Sequence, residues 1–146
     1  MDIQENIALC NYSTIGLGGE ARYFASVKSL EELKLALIFA KEKKIPFFLL
    51  GRGSNTLFDD RGYNGLVILI RLNQCNIISN LVEVQAGYSF ANLGMKTAKK
   101  GLSGLEFASG IPGSVGGAIF MNAGANAYST WDTLESITFM DEKSEI

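Results

Sequence analysis

Histidine is absent from the sequence, and that gap closes several chemical routes. Ser-His-Asp and Cys-His catalysis are excluded, as is any zinc site built on imidazole. Cysteine is scarce: Cys10 and Cys75 stand far apart with no CxxC spacing, so no disulfide framework is expected and a reducing compartment fits. Charge is modest, with a net of −2, so nothing draws the chain in bulk to nucleic acid or anionic lipid. Long apolar runs are missing too. Leu66 to Ile70 is far too short to span a bilayer. The N-terminus, MDIQENIALC, carries acids early and lacks a basic-then-apolar signal layout. Together these absences predict a cytoplasmic protein without a metal site and without nucleic-acid or membrane partners.

What is present describes a globular chain. Apolar residues make up 47% and charged residues 19% of 146 residues, enough for one domain or two small lobes. Lysines concentrate at 34–44 and 96–100 and read as solvated helix faces. Glycine is the abundant residue, at 16, clustered at 16–19, 51–53, 101–104 and 110–117. Each cluster adjoins apolar residues, which suggests ordered turns where backbone approaches backbone or ligand.

Arg22 to Val27 reads as a strand. Ser29 and Glu32 have capping-box spacing at the start of a helix whose apolar face is Leu30, Leu33, Leu37 and Ala40. Ile45-Pro46 ends that helix, and Phe47 to Leu50 is a second strand, giving a β-α-β unit with parallel strands. Leu66 to Ile70 is a third, buried strand. The polar stretch Asn73 to Asn80 is taken as the boundary between a first lobe, 1–72, and a second, 73–146. Beyond it come a strand at Leu81 to Ala86, a helix at Ser89 to Lys100 with Phe90, Leu93 and Thr97 inward and Gly101 as its stop, and a final strand at Trp131 to Met140. Asp141 to Ile146 is expected to form a turn after that strand.

Two glycine loops carry the chemistry. Gly51, Arg52, Gly53, Ser54 and Asn55 follow the Phe47–Leu50 strand directly. Such a loop can converge backbone N–H groups on a phosphate or diphosphate, with Arg52 adding charge. It is neither the Rossmann fingerprint, since Thr56 stands where the third glycine belongs, nor a P-loop. On spacing alone it reads equally as a tight strand-to-loop turn. The second loop, Gly110 to Ala118, is small and apolar where a solvent loop would be charged. It reads either as a packed crossover or as a wall against something flat.

Several motifs resemble those of the UDP-N-acetylenolpyruvoylglucosamine reductase family. They are Ser13 to Ala21 (STIGLGGEA), Leu50 to Leu57 (LGRGSNTL) with Asp60, Gly62 and Gly65-Leu66-Val67, Gly101 to Glu106 (GLSGLE), and the run from Ser109 to Gly124. They occur in order along nearly the whole chain. The resemblance implies an α+β, two-lobe FAD-binding fold of the vanillyl-alcohol-oxidase and p-cresol methylhydroxylase (PCMH) type, with the second lobe incomplete and a C-terminal substrate domain absent. It implies FAD held by Gly51, Arg52, Gly53, Ser54 and Asn55 at the diphosphate, and by Ser109, Gly110, Ile111, Gly113, Ser114, Gly116 and Gly117 along the flavin. It also implies NADPH as reductant and a UDP-sugar as substrate, whose enolpyruvyl group is reduced to the lactyl ether of UDP-N-acetylmuramate in peptidoglycan precursor synthesis. The family's catalytic arginine, proton-donating serine and late glutamate are expected C-terminal to Ile146, so the chain alone is expected to be inactive. A non-catalytic FAD-binding remnant, or another flavin oxidoreductase of the same fold, are the competing readings.

Overall fold

A computed structural model describes residues 1–141. Residues 142–146, on which most of the expected terminal turn falls, lie outside the described residues. The chain divides into two compact units, Met1–Leu72 joined by the described residues from Phe139 to Asp141, and Asn73–Thr138. Among the described residues no helix is long and apolar enough to cross a membrane.

The first unit is a four-stranded mixed sheet with one helix. Strand β1 (Ile3–Ala8) pairs antiparallel with β2 (Glu20–Val27); β3 (Phe47–Leu50) and β4 (Tyr63–Ile70) complete the order β1-β2-β4-β3, and β4 is parallel to both β2 and β3. The β-α-β unit expected from the sequence is therefore open: β4 inserts between its two strands. The reason lies in the run Leu66 to Leu69, which is buried on both faces and belongs at the centre of a sheet. Leu66 and Ile68 face helix α1 (Leu30–Lys43), whereas Val67 and Leu69 pack with Leu9, Leu50 and Phe58 on the other side. Helix α1 buries Ala36 and Ala40, flanked by Leu33 and Leu37, but Leu30 is left exposed at the helix entrance. Its cap is half of the expected box. Ser29 Oγ accepts from the Glu32 amide at 3.2 Å, while the Glu32 carboxylate turns back to the Lys28 amide at 2.6 Å.

The second unit packs a β-hairpin and two helices around one small core. Strand β5 (Cys75–Ile78) pairs antiparallel with β6 (Leu81–Val84), so the polar stretch read as a boundary contains a strand. Asn76 and Asn80 made that stretch look like a linker, but Cys75 and Ile77 point inward at alternate positions. Helix α2 (Phe90–Lys99) buries Phe90, Leu93 and Thr97 as its periodicity predicts, and Gly101 turns left-handed behind it at φ 74°. The Thr97 hydroxyl is satisfied by the Leu93 and Gly94 carbonyls at 3.1 and 3.0 Å. Helix α3 (Val115–Met121) closes the core with Val115 and Ala118.

The strand expected at Trp131 to Met140 does not form. Ser129 and Asp132 make a reciprocal capping box that winds Thr130–Thr133 into a 3-10 turn. The Trp131 amide donates to Asn122 Oδ1 at 3.0 Å, and its indole N–H donates to the Ile119 carbonyl at 2.9 Å. With its donors engaged in this way, Trp131 is not available to a strand ladder. From Leu134 to Asp141 no regular structure follows, and the alternation of Ile137 and Phe139 meets no neighbouring strand among the described residues.

A short hairpin precedes that turn, β7 (Gly124–Ala125) with β8 (Tyr128–Ser129), joined by Asn126 and Ala127 at φ 54° and 67°. Both turn residues are left-handed, which asparagine tolerates and alanine does not. We expect Ala127→Gly to stabilise the fold by about 0.5–1 kcal/mol, after the larger chain entropy of glycine offsets part of the relieved strain. Urea unfolding of the two proteins measures it, and an unchanged or lower midpoint would contradict the turn geometry.

Candidate functional site

The first unit offers a cleft at the carboxyl ends of its parallel strands, the position where open α/β sheets bind ligands. The cleft, of about 240 Å³, is lined by Asn11 to Thr14 on one side, by Gly51 and Arg52 beyond β3, and by Leu69 and Arg71 at the end of β4. Among the described residues no acidic side chain lines it. The Asp59 carboxylate is engaged elsewhere: it accepts from Arg61 Nε and Nη2 at 3.0 and 2.7 Å, and that guanidinium holds it down to about 2.

Hydrogen bonds between two distant segments shape the cleft. The Thr14 amide donates to the Gly53 carbonyl at 3.0 Å, and Ser13 Oγ donates to the Thr56 carbonyl at 2.7 Å. Thr14 Oγ1 adds weak contacts to the Gly53 and Ser54 carbonyls at 3.3 and 3.4 Å. Gly53 is buried beneath this crossing with φ 67°, and a Cβ there would overlap the Tyr12 carbonyl oxygen. Among the predicted diphosphate residues, then, Gly51 and Arg52 face the cleft and Gly53 is required by the chain itself. Ser54 lends its carbonyl to the crossing, and Asn55 is exposed at its edge.

Glycines of the neighbouring motifs have the same explanation. A Cβ on Gly19 would overlap the Asp60 carbonyl, and one on Gly62 would overlap the Glu20 carbonyl. These residues let the entrances of β2 and β4 interlock. They hold the sheet that carries the cleft and do not line it.

In the second unit the predicted flavin residues form one continuous ledge. Ser109 and Gly110 end a 3-10 turn, Glu106–Gly110, and Ile111 to Ser114 lead into α3. Gly94 brings α2 against this turn: a Cβ there would lie 2.7 Å from both the Leu105 carbonyl oxygen and the Ser109 nitrogen. Ser109 Oγ donates to the Glu106 carbonyl at 2.6 Å, and the Glu106 carboxylate accepts from the Gly104 amide at 2.7 Å. Glu106 thus fixes the turn.

The first-turn donors of α3 are already used. The Val115 amide donates to the Tyr88 carbonyl at 2.9 Å, Gly116 to the Ala86 carbonyl at 2.8 Å, and Gly117 to Ser114 Oγ at 3.3 Å. Gly116 must be glycine to lie against Ala86, whose Cβ a new methyl would approach to 2.9 Å. Gly113 takes φ 140°. Gly110 and Gly117 differ from both. They are exposed with ordinary backbone, nothing lies within 4 Å of a Cβ on Gly110, and only Ser114 Oγ at 3.3 Å neighbours one on Gly117. At Gly110 the backbone of this ledge is bare although the chain's own packing does not demand it, which suits a flat ring system lying against it.

Sequence reasoning did not single out Asn11, Tyr12 or Arg71 as lining residues. Asn11 and Tyr12 reach the cleft only through the long-range crossing at Gly53. Arg71 belongs to none of the motifs quoted from the sequence.

The profile of the FAD binding domain family matches residues 21–146. A UDP-N-acetylenolpyruvoylglucosamine reductase of Protochlamydia amoebophila is 51% identical over 144 residues, covering 98% of this chain and 48% of that protein. The protein of the same name from Chlamydia muridarum is 41% identical over 99% of this chain and 49% of its own length. The crystal structure of a UDP-N-acetylenolpyruvylglucosamine reductase from Thermus caldophilus aligns with a TM-score of 0.70 at 35% identity, over 88% of this chain and 45% of that one. The chain spans about half the length of the curated relatives it matches.

The two kinds of glycine are separable by stability alone. Gly53→Ala should lower the unfolding free energy by about 2 kcal/mol or more with no flavin present, from left-handed strain and overlap with Tyr12. Gly110→Ala should stay within about 0.5 kcal/mol of the unmodified chain. Denaturant titration compares them, and equal effects would erase the distinction.

Proposed function

The chain belongs to the FAD binding domain family, in the form found in UDP-N-acetylenolpyruvoylglucosamine reductases, and from that membership we infer what it does. It is the N-terminal, FAD-binding portion of an enzyme that reduces UDP-N-acetylenolpyruvoylglucosamine to UDP-N-acetylmuramate with NADPH, in peptidoglycan precursor synthesis. The observation that carries the site assignment is Gly110, an exposed glycine that the chain's own packing does not require. Bound FAD supplies the hydride chemistry. The residues of this chain bind and orient it. Gly51 and Arg52 meet the diphosphate at the cleft, while Gly53, Ser54 and Asn55 maintain the loop. Ser109, Gly110, Ile111 and Gly117 lie along the flavin, and Gly113, Ser114 and Gly116 hold that ledge in shape.

No catalytic residue is assigned within residues 1–146. The arginine, serine and glutamate implied by the resemblance have no matching motif in this sequence. Glu106 is occupied with the Gly104 amide, which supports a structural role for it. Proton delivery to the reacting carbon therefore has no donor here, and losing a positioned donor costs on the order of 10²–10⁴ in rate. The same reading puts the protein in the cytoplasm, where Cys10 and Cys75, both free, stay reduced.

The purified chain should carry FAD, visible as flavin absorbance, and should not oxidise NADPH in a UDP-sugar-dependent way at an enzymatic rate. Gly110→Leu should fold normally yet lose flavin. A folded, colourless chain that takes up no added FAD would sink the reading, and substrate-dependent turnover by the chain alone would refute the absence of catalytic groups.

A further inference from the structure

The first-unit cleft is lined by two cations, Arg52 and Arg71, that no carboxylate among the described residues neutralises. The other arginines are engaged. Arg61 pairs with Asp59 at 2.7 Å, and Arg22 donates to Asn64 Oδ1 at 3.3 Å while lying over the Tyr23 ring. Arg52 and Arg71 line the cleft together, and neither enters an ion pair among the described residues. Arg71 is also fixed at its backbone. Its amide donates to the Val27 carbonyl at 2.8 Å, extending the β2–β4 ladder past the end of β4. Its side chain therefore leaves from a set point at the rim of the cleft. Two guanidinium groups lining one cleft suit an anion with two adjacent charges, and a diphosphate is such an anion.

We propose that Arg71, which lies outside every motif that carries the family resemblance, is a second diphosphate-binding residue acting with Arg52. This rests on the reading of the chain as an FAD-binding portion. Arg71 extends the diphosphate site from the loop after β3 to the end of β4, so the two strands contribute one cation each.

The test measures Kd for FAD and for ADP alone on the full chain freed of flavin, comparing the unmodified protein with Arg71→Gln and Arg71→Lys. Arg71 is exposed, so both variants should fold, and circular dichroism verifies it. The expected result is that ADP competes with FAD, that Arg71→Gln weakens both by roughly tenfold, about the size of one exposed charge-assisted contact, and that Arg71→Lys restores part of the loss. Raising the salt concentration should weaken ADP binding more steeply in the unmodified protein than in Arg71→Gln. If FAD binds but Arg71→Gln is indistinguishable, or ADP fails to compete, the proposal falls and the FAD reading stands. If the folded, unmodified chain binds neither ligand, both fall together.

Discussion

The first-unit site depends on a place where two backbones touch. Tyr12 to Thr14 cross directly over Gly53, tied by the Thr14 amide and the Ser13 hydroxyl, and only a residue without a Cβ permits it. That crossing brings Asn11 and Tyr12, distant in sequence from the loop after β3, to the wall of a cleft at the carboxyl ends of β3 and β4. The second unit repeats the principle at Gly94 and Gly116, which let α2 and the residues before it press against the ledge. The glycine content is thus mainly a packing device, and the proposed ligand surfaces are what that packing exposes.

This division changes how a glycine-rich motif is interpreted. Gly19, Gly53, Gly62, Gly94 and Gly116 are each explained by a carbonyl or methyl of the same chain. Gly110 and Gly117 are left over. Function is better sought in glycines the fold can spare than in the density of glycine along the sequence, because close approach between segments uses the same residue as close approach to a ligand.

Local patterns predicted local structure well. The apolar run Leu66 to Ile70, the Ser29 and Ser89 caps, and Gly101 after α2 all carry their information within a few residues of themselves. What failed needed distant partners. β1 went unread because none of its residues is fully buried and only the antiparallel pairing with β2 makes it a strand. The place of β4 between β2 and β3 is a property of the whole sheet. The Trp131 to Met140 segment alternates as a strand does, but the hydrogen bonds that Trp131 donates to Asn122 and Ile119 take it into a turn. The candidate site shows the same split: both loops stand out in composition and spacing, whereas Tyr12 and Arg71 line the first cleft only through tertiary contact.

The proposed function has FAD contacting exposed backbone of this chain, at the cleft of the first unit and at the ledge of the second. Backbone amide chemical shifts, followed while FAD is titrated into the deflavinated chain, test it most directly. The account predicts saturable shifts grouped at residues 11–14, 51–52 and 71 and, at the same FAD concentration, at residues 109–111 and 117. Shifts confined to one group, or scattered over the exposed face of α1, would contradict it.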